Sequence, residues 1–382
     1  MSFIRNIFGI SKRLPSKRPL KVLGIETSCD DTAAAIVTSD RQILAEVVRG
    51  QQELHEPKGG IVPMLACESH SRNLPGVVSE ALQKAKLTVQ DLDAIAVTRG
   101  PGLPPCLPVG LNAAKTMAAV CRKPLIGVHH MEAHALTARL TTPNADNAPY
   151  PQFPFMTLLI SGGHTLLLTA NNIGDYNELA GTMDNAVGEA IDKASRSLKL
   201  NWIQGRRGGP GAALEKAASE GDPERFISKL PLPLSLSRKK ELKFSFAGLK
   251  SAMDRLIKDP SIDLSNPKDV NDLAAAFQMI CINHLEQKIK LALEQEIVKH
   301  KKPLNAFVVS GGVASNKLFR SRLETLVNAY GLPLICPPPQ LCTDNGVMIA
   351  WAGLERFQAG LVDDYTITTI PVWPLESLKQ RE

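Results

Sequence analysis

The 382-residue chain carries 44 Lys+Arg against 38 Asp+Glu, a formal net charge of +6, with 44% hydrophobic and 21% charged residues. These are ordinary globular values. They exclude disorder as the bulk state and suit two domains or one large two-lobed α/β unit. No apolar run reaches the roughly 18 residues of a transmembrane helix. Seven cysteines without a CxxC pair argue for reduced thiols rather than a disulfide framework.

The excess charge sits at the start. Arg5, Lys12, Arg13, Lys17, Arg18 and Lys21 occupy an acid-free stretch interleaved with Phe3, Ile4, Ile7, Phe8, Ile10 and Leu14. Removing these six bases from the 44 leaves 38, as many as the acids. This composition predicts a mitochondrial transit segment over residues 1–20 and a location in the mitochondrial matrix.

The body opens with an apolar strand at 22–25, a polar turn at 26–32 and a second strand at 33–37, with a third at 43–48. A helix follows at 63–87, then a buried strand at 94–97 ending in Arg99-Gly100-Pro101-Gly102. A Pro-rich turn leads into a helix of small residues at 110–121. A strand at 124–128 runs into His129-His130-Met131-Glu132-Ala133-His134 and a helix to 140. Residues 141–154, rich in Pro, Asn and Asp and without periodicity, read as a linker.

After the linker the opening pattern returns: a strand at 155–160, the turn Ser161-Gly162-Gly163-His164, and a strand at 165–169. A helix is expected near 184–198, then a Gly-rich stretch at 205–211. Residues 221–269 are too rich in Pro, Ser and charge to assign. A long helix fits 270–299, a strand 306–309 ending in Ser310-Gly311-Gly312, then a helix, a strand at 334–336 and a last helix at 344–358. The two halves match, and alternating β and α segments imply mainly parallel sheets. A duplicated pair of such lobes would place a ligand in the cleft between them.

Three turns follow apolar strands, at 26–32, 161–164 and 310–312, and together they point to a nucleotide site, since the last two carry glycine, which lets backbone amides approach a phosphate. The G-x-x-x-x-G-K-[ST] loop is lacking, as is G-x-G-x-x-G after a strand, which excludes a P-loop enzyme and disfavours a dinucleotide fold. His130 and His134 are four apart, so on a helix both imidazoles share one face at metal-binding spacing. Asp344, just past a strand and a Pro-rich turn, is a suitable third ligand. Glu189 and Lys193 form an i, i+4 pair, and Glu189 and Asp192 share a face that suits ribose hydroxyls or a cation. Asp30 and Asp31 are candidates for positioning a nucleophile. Basic groups at Arg206-Arg207, Arg238-Lys239-Lys240 and Lys301-Lys302 suit an RNA backbone if they line one side of a cleft.

Taken in order and spacing, several strings resemble the tRNA N6-adenosine threonylcarbamoyltransferase family, formerly labelled O-sialoglycoprotein endopeptidases. They are Gly24-Ile25-Glu26-Thr27-Ser28-Cys29-Asp30-Asp31-Thr32, Gly59-Gly60-Ile61-Val62-Pro63, Gly100-Pro101-Gly102-Leu103, His130 to His134, Leu159-Ile160-Ser161-Gly162-Gly163-His164, Gly188 to Lys193, Gly209-Pro210, Ser310 to Asn316 and Asp344-Asn345. The likeness runs from about residue 21 to about 358, and the basic leader resembles the mitochondrial branch. It implies an actin/sugar-kinase-like (ASKHA) α/β fold, with ribonuclease-H-like lobes at 21–153 and 154–345, a nucleotide cleft between them and a C-terminal helix and tail at 346–382. It implies transfer of the threonylcarbamoyl group from threonylcarbamoyl-AMP to the adenosine beside the anticodon in tRNAs reading A-initial codons. By the family pattern His130, His134 and Asp344 bind one divalent metal per subunit. Leu159, Ile160, Ser161, Gly162, Gly163, Asp192, Gly209 and Asn316 hold the adenylate. Asp30 or Asp31 acts on the attacking amine. The implied partners are tRNA, a second copy in a homodimer and an upstream synthase that makes threonylcarbamoyl-AMP. No membrane is implied. The donor set alone suits zinc, iron or manganese, with zinc or iron favoured.

Two stretches depart from the family pattern: Pro104-Pro105-Cys106-Leu107-Pro108 and the inserted Gly205-Arg206-Arg207, which makes Gly209 less secure than the histidines. A zinc metallopeptidase is the main rival, but it requires Glu directly after the first His, where this chain has Met131. A sugar-kinase-like phosphotransferase has no use for a His–His–Asp set. A non-catalytic scaffold has no use for intact nucleotide turns.

Overall fold

The computed structural model describes residues 18–142, 151–204, 208–231, 233–234 and 240–381. The leader up to residue 17, Arg206-Arg207, Arg238-Lys239 and the inserted Gly205 lie outside the described residues. Arg18 closes an ion pair with Asp93 at 2.9 Å, just before the first strand.

The chain divides into two compact units, one of Met1–Thr141 with Asp344–Glu382 and one of Thr142–Thr343. In the first, β1 (Lys21–Glu26), β2 (Thr32–Thr38) and β3 (Ile43–Arg49) form an antiparallel meander. Helix α1 (Pro63–Ala85) follows, then β4 (Ala94–Gly100), α2 (Leu107–Val120), β5 (Leu125–His129) and α3 (His130–Thr141). Strands β4 and β5 add in parallel, giving the order β3-β2-β1-β4-β5.

The second unit repeats this plan. An antiparallel meander of β6 (Phe155–Ile160), β7 (Thr165–Asn172) and β8 (Asp175–Gly181) is followed by α4 (Val187–Ser197), α5 (Pro210–Ser219), α6 (Ala247–Leu256) and α7 (Pro267–Leu293). Then come β9 (Phe307–Ser310), α8 (Lys317–Asn328) and β10 (Leu334–Ile335), giving the sheet order β10-β9-β6-β7-β8 with β9 and β10 parallel. The matched hairpins read from the sequence are the first two strands of each sheet. Each sheet is mixed, antiparallel through its meander and parallel beyond it. Three of these elements escaped the sequence pattern: the edge strand β8, helix α5 behind the Gly-rich stretch, and helix α6 inside the unassigned 221–269 stretch. The long helix starts earlier and stops earlier than expected, with a π-helical turn at Glu294–Lys299. Among the described residues no helix is long and apolar enough to cross a membrane.

Helix α9 (Gly346–Gln358) brings the chain back to the first unit. It lies against β1, β2, β4 and α3, with ten consecutive residues buried from Gly346 to Glu355. Glycine permits this approach. A Cβ on Gly346 would stand 2.6 Å from the backbone of Ala34 and Ala35, and Gly24 on β1 is backed by Gly346 and Ala350 of the helix. The segment beyond α9, expected as a tail, is strapped to the same unit. Asp363 accepts from the Gly127 amide at 2.8 Å, Ile370 N donates to Arg99 O at 2.9 Å, and Tyr365 Oη donates to Lys123 O at 2.9 Å.

Candidate metal centre and nucleotide cavity

Strand β5 ends at His129 and α3 begins at the next residue, so His130 stands at a strand's carboxyl end and His134 one turn along the helix. Asn345 caps α9, its side chain accepting from Met348 N at 2.8 Å, which sets Asp344 just ahead of that helix. Because α9 packs on α3, the three side chains meet. His134 Nε2 lies 3.1 Å and His130 Nε2 3.4 Å from the same Asp344 Oδ1, and the three ligand atoms fall within 4.8 Å of one another. Donors about 2.1 Å from one tetrahedral ion stand roughly 3.4 Å apart, so the spacing fits a metal.

The electrostatics fit as well. Burial opposes a charge on His130, yet the Asp344 and Glu26 carboxylates outweigh it and push its pKa up to about 10. Burial likewise opposes charge on Asp344, and the two histidines overcome it and hold its carboxyl well below the usual range. The pocket is built to hold positive charge beside Asp344. Nδ1 of His134 is buried and, among the described residues, has no hydrogen-bond partner.

Neighbouring groups hold the cluster in place. Arg139 Nε pairs with Glu355 at 2.9 Å and Arg356 with Glu132 at 3.0 Å, two ion pairs that join α3 to α9. Glu132 is fully buried in that pairing, so the one acid between the histidines is committed to structure. His129 is not a third imidazole donor: Met131 N donates to its Nδ1 at 3.1 Å, which leaves Nε2–H to donate to Trp373 O at 2.9 Å.

In the turn after β1, Asp30 has its pKa raised, first by burial and then by the Asp344 carboxylate, with Cys29 and His55 acting the other way. Asp30 therefore shares the field of the His–His–Asp cluster. Asp31 stands toward the end of β3, where a side chain on Gly50 would come within 3.1 Å of its Oδ1. The turn is anchored from beneath by His70 of α1. Its Nε2–H donates to Cys29 O at 3.0 Å and its Nδ1 accepts from Thr32 Oγ1 at 2.8 Å. Sequence reading passed over His70 and Glu26, since a single buried His or Glu carries no spacing signal.

The second unit holds an open cavity of about 250 Å³. It is lined by Gly162 after β6, Gly188 and Asp192 of α4, Gly208, Pro210, Gly211 and Glu215 around the start of α5, Gly312 and Asn316 after β9, and Thr343. Of the residues expected to hold an adenylate, Gly162, Asp192 and Asn316 face it. Leu159 and Ile160 are fully buried in β6, so only their backbone is on offer. Ser161 closes its own turn, its Oγ accepting from His164 N at 3.1 Å, and Gly163 does not line the cavity. Gly209 caps α5 while its neighbours Gly208, Pro210 and Gly211 form the wall. Glu215, absent from the sequence reading, accepts from Lys317 N at 2.8 Å. Asn316 caps α8 by accepting from Phe319 N at 3.1 Å and donates to Gln278 Oε1 at 2.8 Å. Burial lifts Asp192 to about 6, with Glu189 adding to the rise and Arg196 and the Gly211 amide opposing it. Glu189 and Lys193 form the expected helical ion pair.

Paired mixed sheets of like strand order, a glycine-lined cavity at strand ends and a His–His–Asp cluster define an actin/sugar-kinase-like α/β protein with a candidate metal centre. The solved HypF structure from T. kodakarensis agrees in fold alone, with a TM-score of 0.54 at 14% identity over 91% of this chain and 49% of that one. The family model described as tRNA N6-adenosine threonylcarbamoyltransferase matches residues 42–351. An Arabidopsis thaliana protein named "Probable tRNA N6-adenosine threonylcarbamoyltransferase, mitochondrial" is 45% identical over 374 residues, covering 93% of this chain and 75% of its own length. The tRNA N6-adenosine threonylcarbamoyltransferase of Sphingopyxis alaskensis is 46% identical over 355 residues, covering 93% of this chain and 95% of its own. The chain belongs to the tRNA N6-adenosine threonylcarbamoyltransferase family and is an enzyme of that class.

Proposed function

We propose that this chain transfers the threonylcarbamoyl group of threonylcarbamoyl-AMP to the N6 amine of the adenosine beside the anticodon, in tRNAs reading A-initial codons, and releases AMP. The observation that carries this reading is the convergence of both histidines on one oxygen of Asp344, in a chain whose family is a tRNA transferase. His130, His134 and Asp344 hold the divalent metal, which when bound supplies Lewis-acid polarisation of carbamoyl or phosphate oxygens.

The residues divide the work. In the second unit, the amides of the Gly162 and Gly312 turns are suited to the phosphate, and Asp192 and Asn316 to the ribose and base. In the first, Asp30 accepts the proton lost as the amine attacks the carbamoyl carbon and the carbon–oxygen bond to phosphate breaks. Its raised pKa favours that role, since a base works best when its pKa approaches the working pH. The metallopeptidase reading lacks its base, because Glu132 is tied to Arg356. The mitochondrial name of the Arabidopsis relative and the basic leader support action in the mitochondrial matrix. A homodimer and an upstream synthase complete the proposal.

The test is direct. Purified, metal-loaded chain is incubated with threonylcarbamoyl-AMP and two tRNAs, one reading an A-initial codon and one not. Digested nucleosides are then analysed by mass spectrometry. Threonylcarbamoyladenosine in the first tRNA alone, with equimolar AMP, is expected. AMP release without modified nucleoside, or equal modification of both tRNAs, contradicts the assignment. Asp30→Asn with an unchanged single-turnover rate removes the base from it.

A further inference from the structure

We propose that Glu26 is a positioning residue that fixes the ring tautomer and orientation of His130 for metal binding. The inference rests on reading the His130–His134–Asp344 cluster as a metal centre, and it adds a fourth member from outside the helix that bears the histidines. Glu26 is the last residue of β1, where the four residues before it, Val22 to Ile25, are apolar and buried, and it has no exposed surface. A carboxylate in that place demands partners, and it has them. Oε1 accepts from Ser28 N at 2.5 Å, and Oε2 accepts from the Thr98 hydroxyl and faces His130 Nδ1 at 3.3 Å. Ser28 Oγ lies 3.2 Å from the same Nδ1.

The chemistry follows from what each group is able to do. An ionised carboxylate only accepts, so Nδ1 of His130 must carry the hydrogen. On the neutral ring, the form that binds a metal, the proton on Nδ1 leaves Nε2 with its lone pair, and Nε2 is the atom aimed at Asp344 Oδ1, 3.4 Å away. A ligating histidine whose other nitrogen donates to a carboxylate is both oriented and made more basic. Thr98 lies on β4, which pairs with β1 directly, so the carboxylate is held by two adjacent strands and the imidazole by the carboxylate. His134 has no such support, since its Nδ1 lacks a hydrogen-bond partner among the described residues. Glu26 therefore governs one ligand of the pair and not the other.

Glu26→Gln tests this with almost no change of volume. Its amide has one oxygen and one NH₂. If the oxygen stays on Ser28 N–H, the NH₂ faces Nδ1 and turns it into an acceptor, so the proton moves to Nε2 and blocks the metal. If the amide flips, the NH₂ meets the Ser28 N–H donor. Zn(II) affinity of the full chain is measured by competition with a chromophoric chelator for wild type, Glu26→Gln, Thr98→Val and His134→Ala. Ring ¹⁵N shifts of His130 are followed through the pH titration of the metal-free protein and its tautomer is read where the ring is neutral, and urea midpoints monitor the fold.

The expected result is Zn(II) binding weakened roughly 10- to 100-fold in Glu26→Gln, a smaller loss in Thr98→Val, and a His130 tautomer inverted in Glu26→Gln only. Thr98→Val keeps the carboxylate and carries the test if Glu26→Gln fails to fold. A Glu26→Gln affinity within twofold of wild type, or an unchanged His130 tautomer, overturns the proposal. So does an undiminished affinity in Thr98→Val. Wild type that binds no Zn(II), Fe(II) or Mn(II) refutes instead the metal reading on which the proposal stands.

Discussion

Asp192→Asn should stabilise the metal-free, ligand-free protein while abolishing adenylate binding. Asp192 lines the glycine-rich cavity, and burial lifts its pKa from 3.8 to about 6. A carboxyl whose folded pKa lies above its unfolded value is bound more tightly by protons in the folded state. Its penalty is absent below the unfolded pKa of 3.8, grows as pH rises toward 6 and is complete above that. Each pKa unit is about 1.4 kcal/mol, so the full penalty is about 2–3 kcal/mol. Asparagine keeps an acceptor for the Gly211 amide and carries no charge to bury. Urea unfolding of wild type and Asp192→Asn at pH 4 and pH 7.5 should show near-equal stability at the lower pH and a gain of about 2–3 kcal/mol for the variant at the higher. A threonylcarbamoyl-AMP titration at pH 7.5 should show binding in wild type alone. Equal stability of the two proteins at pH 7.5, or a gain as large at pH 4, would refute the reasoning.

Further predictions concern the frame of the first unit. Arg356→Met leaves Glu132 buried beside an uncharged neighbour and should cost about 3–5 kcal/mol, while Glu132→Gln with Arg356→Met should recover much of that loss in a double-mutant cycle followed by urea midpoints. The same single variant should weaken Zn(II) binding, because Asp344 and the histidines are set by the contact of α3 with α9. Gly346→Ala drives a methyl to within 2.6 Å of the Ala34 and Ala35 backbone and should destabilise the unit by about 1–3 kcal/mol or more, read as a lowered midpoint by circular dichroism.

How much of this was legible in the sequence depended on local pattern. The two strand–turn–strand openings were visible because β1, β2, β6 and most of β7 are wholly or largely buried apolar runs. Strand β8 was missed because only Tyr176 and Ala180 of its seven residues are buried, so it lacks an apolar stripe. Helix α6 does carry the stripe, with Leu249, Ala252, Met253 and Leu256 buried at helical spacing, but it sits among prolines and serines that masked it. The return of α9 to the first sheet was not readable, because sequence separation says nothing of which sheet a helix joins. The only local hint was close-approach glycine at 24, 346 and 353. The histidine pair was readable from its spacing. The position of Asp344 past a strand suggests it as a ligand, and α9 supplies the physical reason it reaches α3. Glu26 carries no such local signal, since a lone acid at a strand end has no periodic partner.

The most direct test of the central claim is single-turnover transfer from threonylcarbamoyl-AMP to an A-initial-codon tRNA, comparing metal-loaded wild type with Asp344→Asn and His134→Ala. Product is quantified as threonylcarbamoyladenosine by mass spectrometry, and bound metal by elemental analysis of the same samples. The account predicts modified nucleoside from wild type and a loss of both metal and product in each variant. Product formed at the wild-type rate by a variant that retains no metal would contradict it.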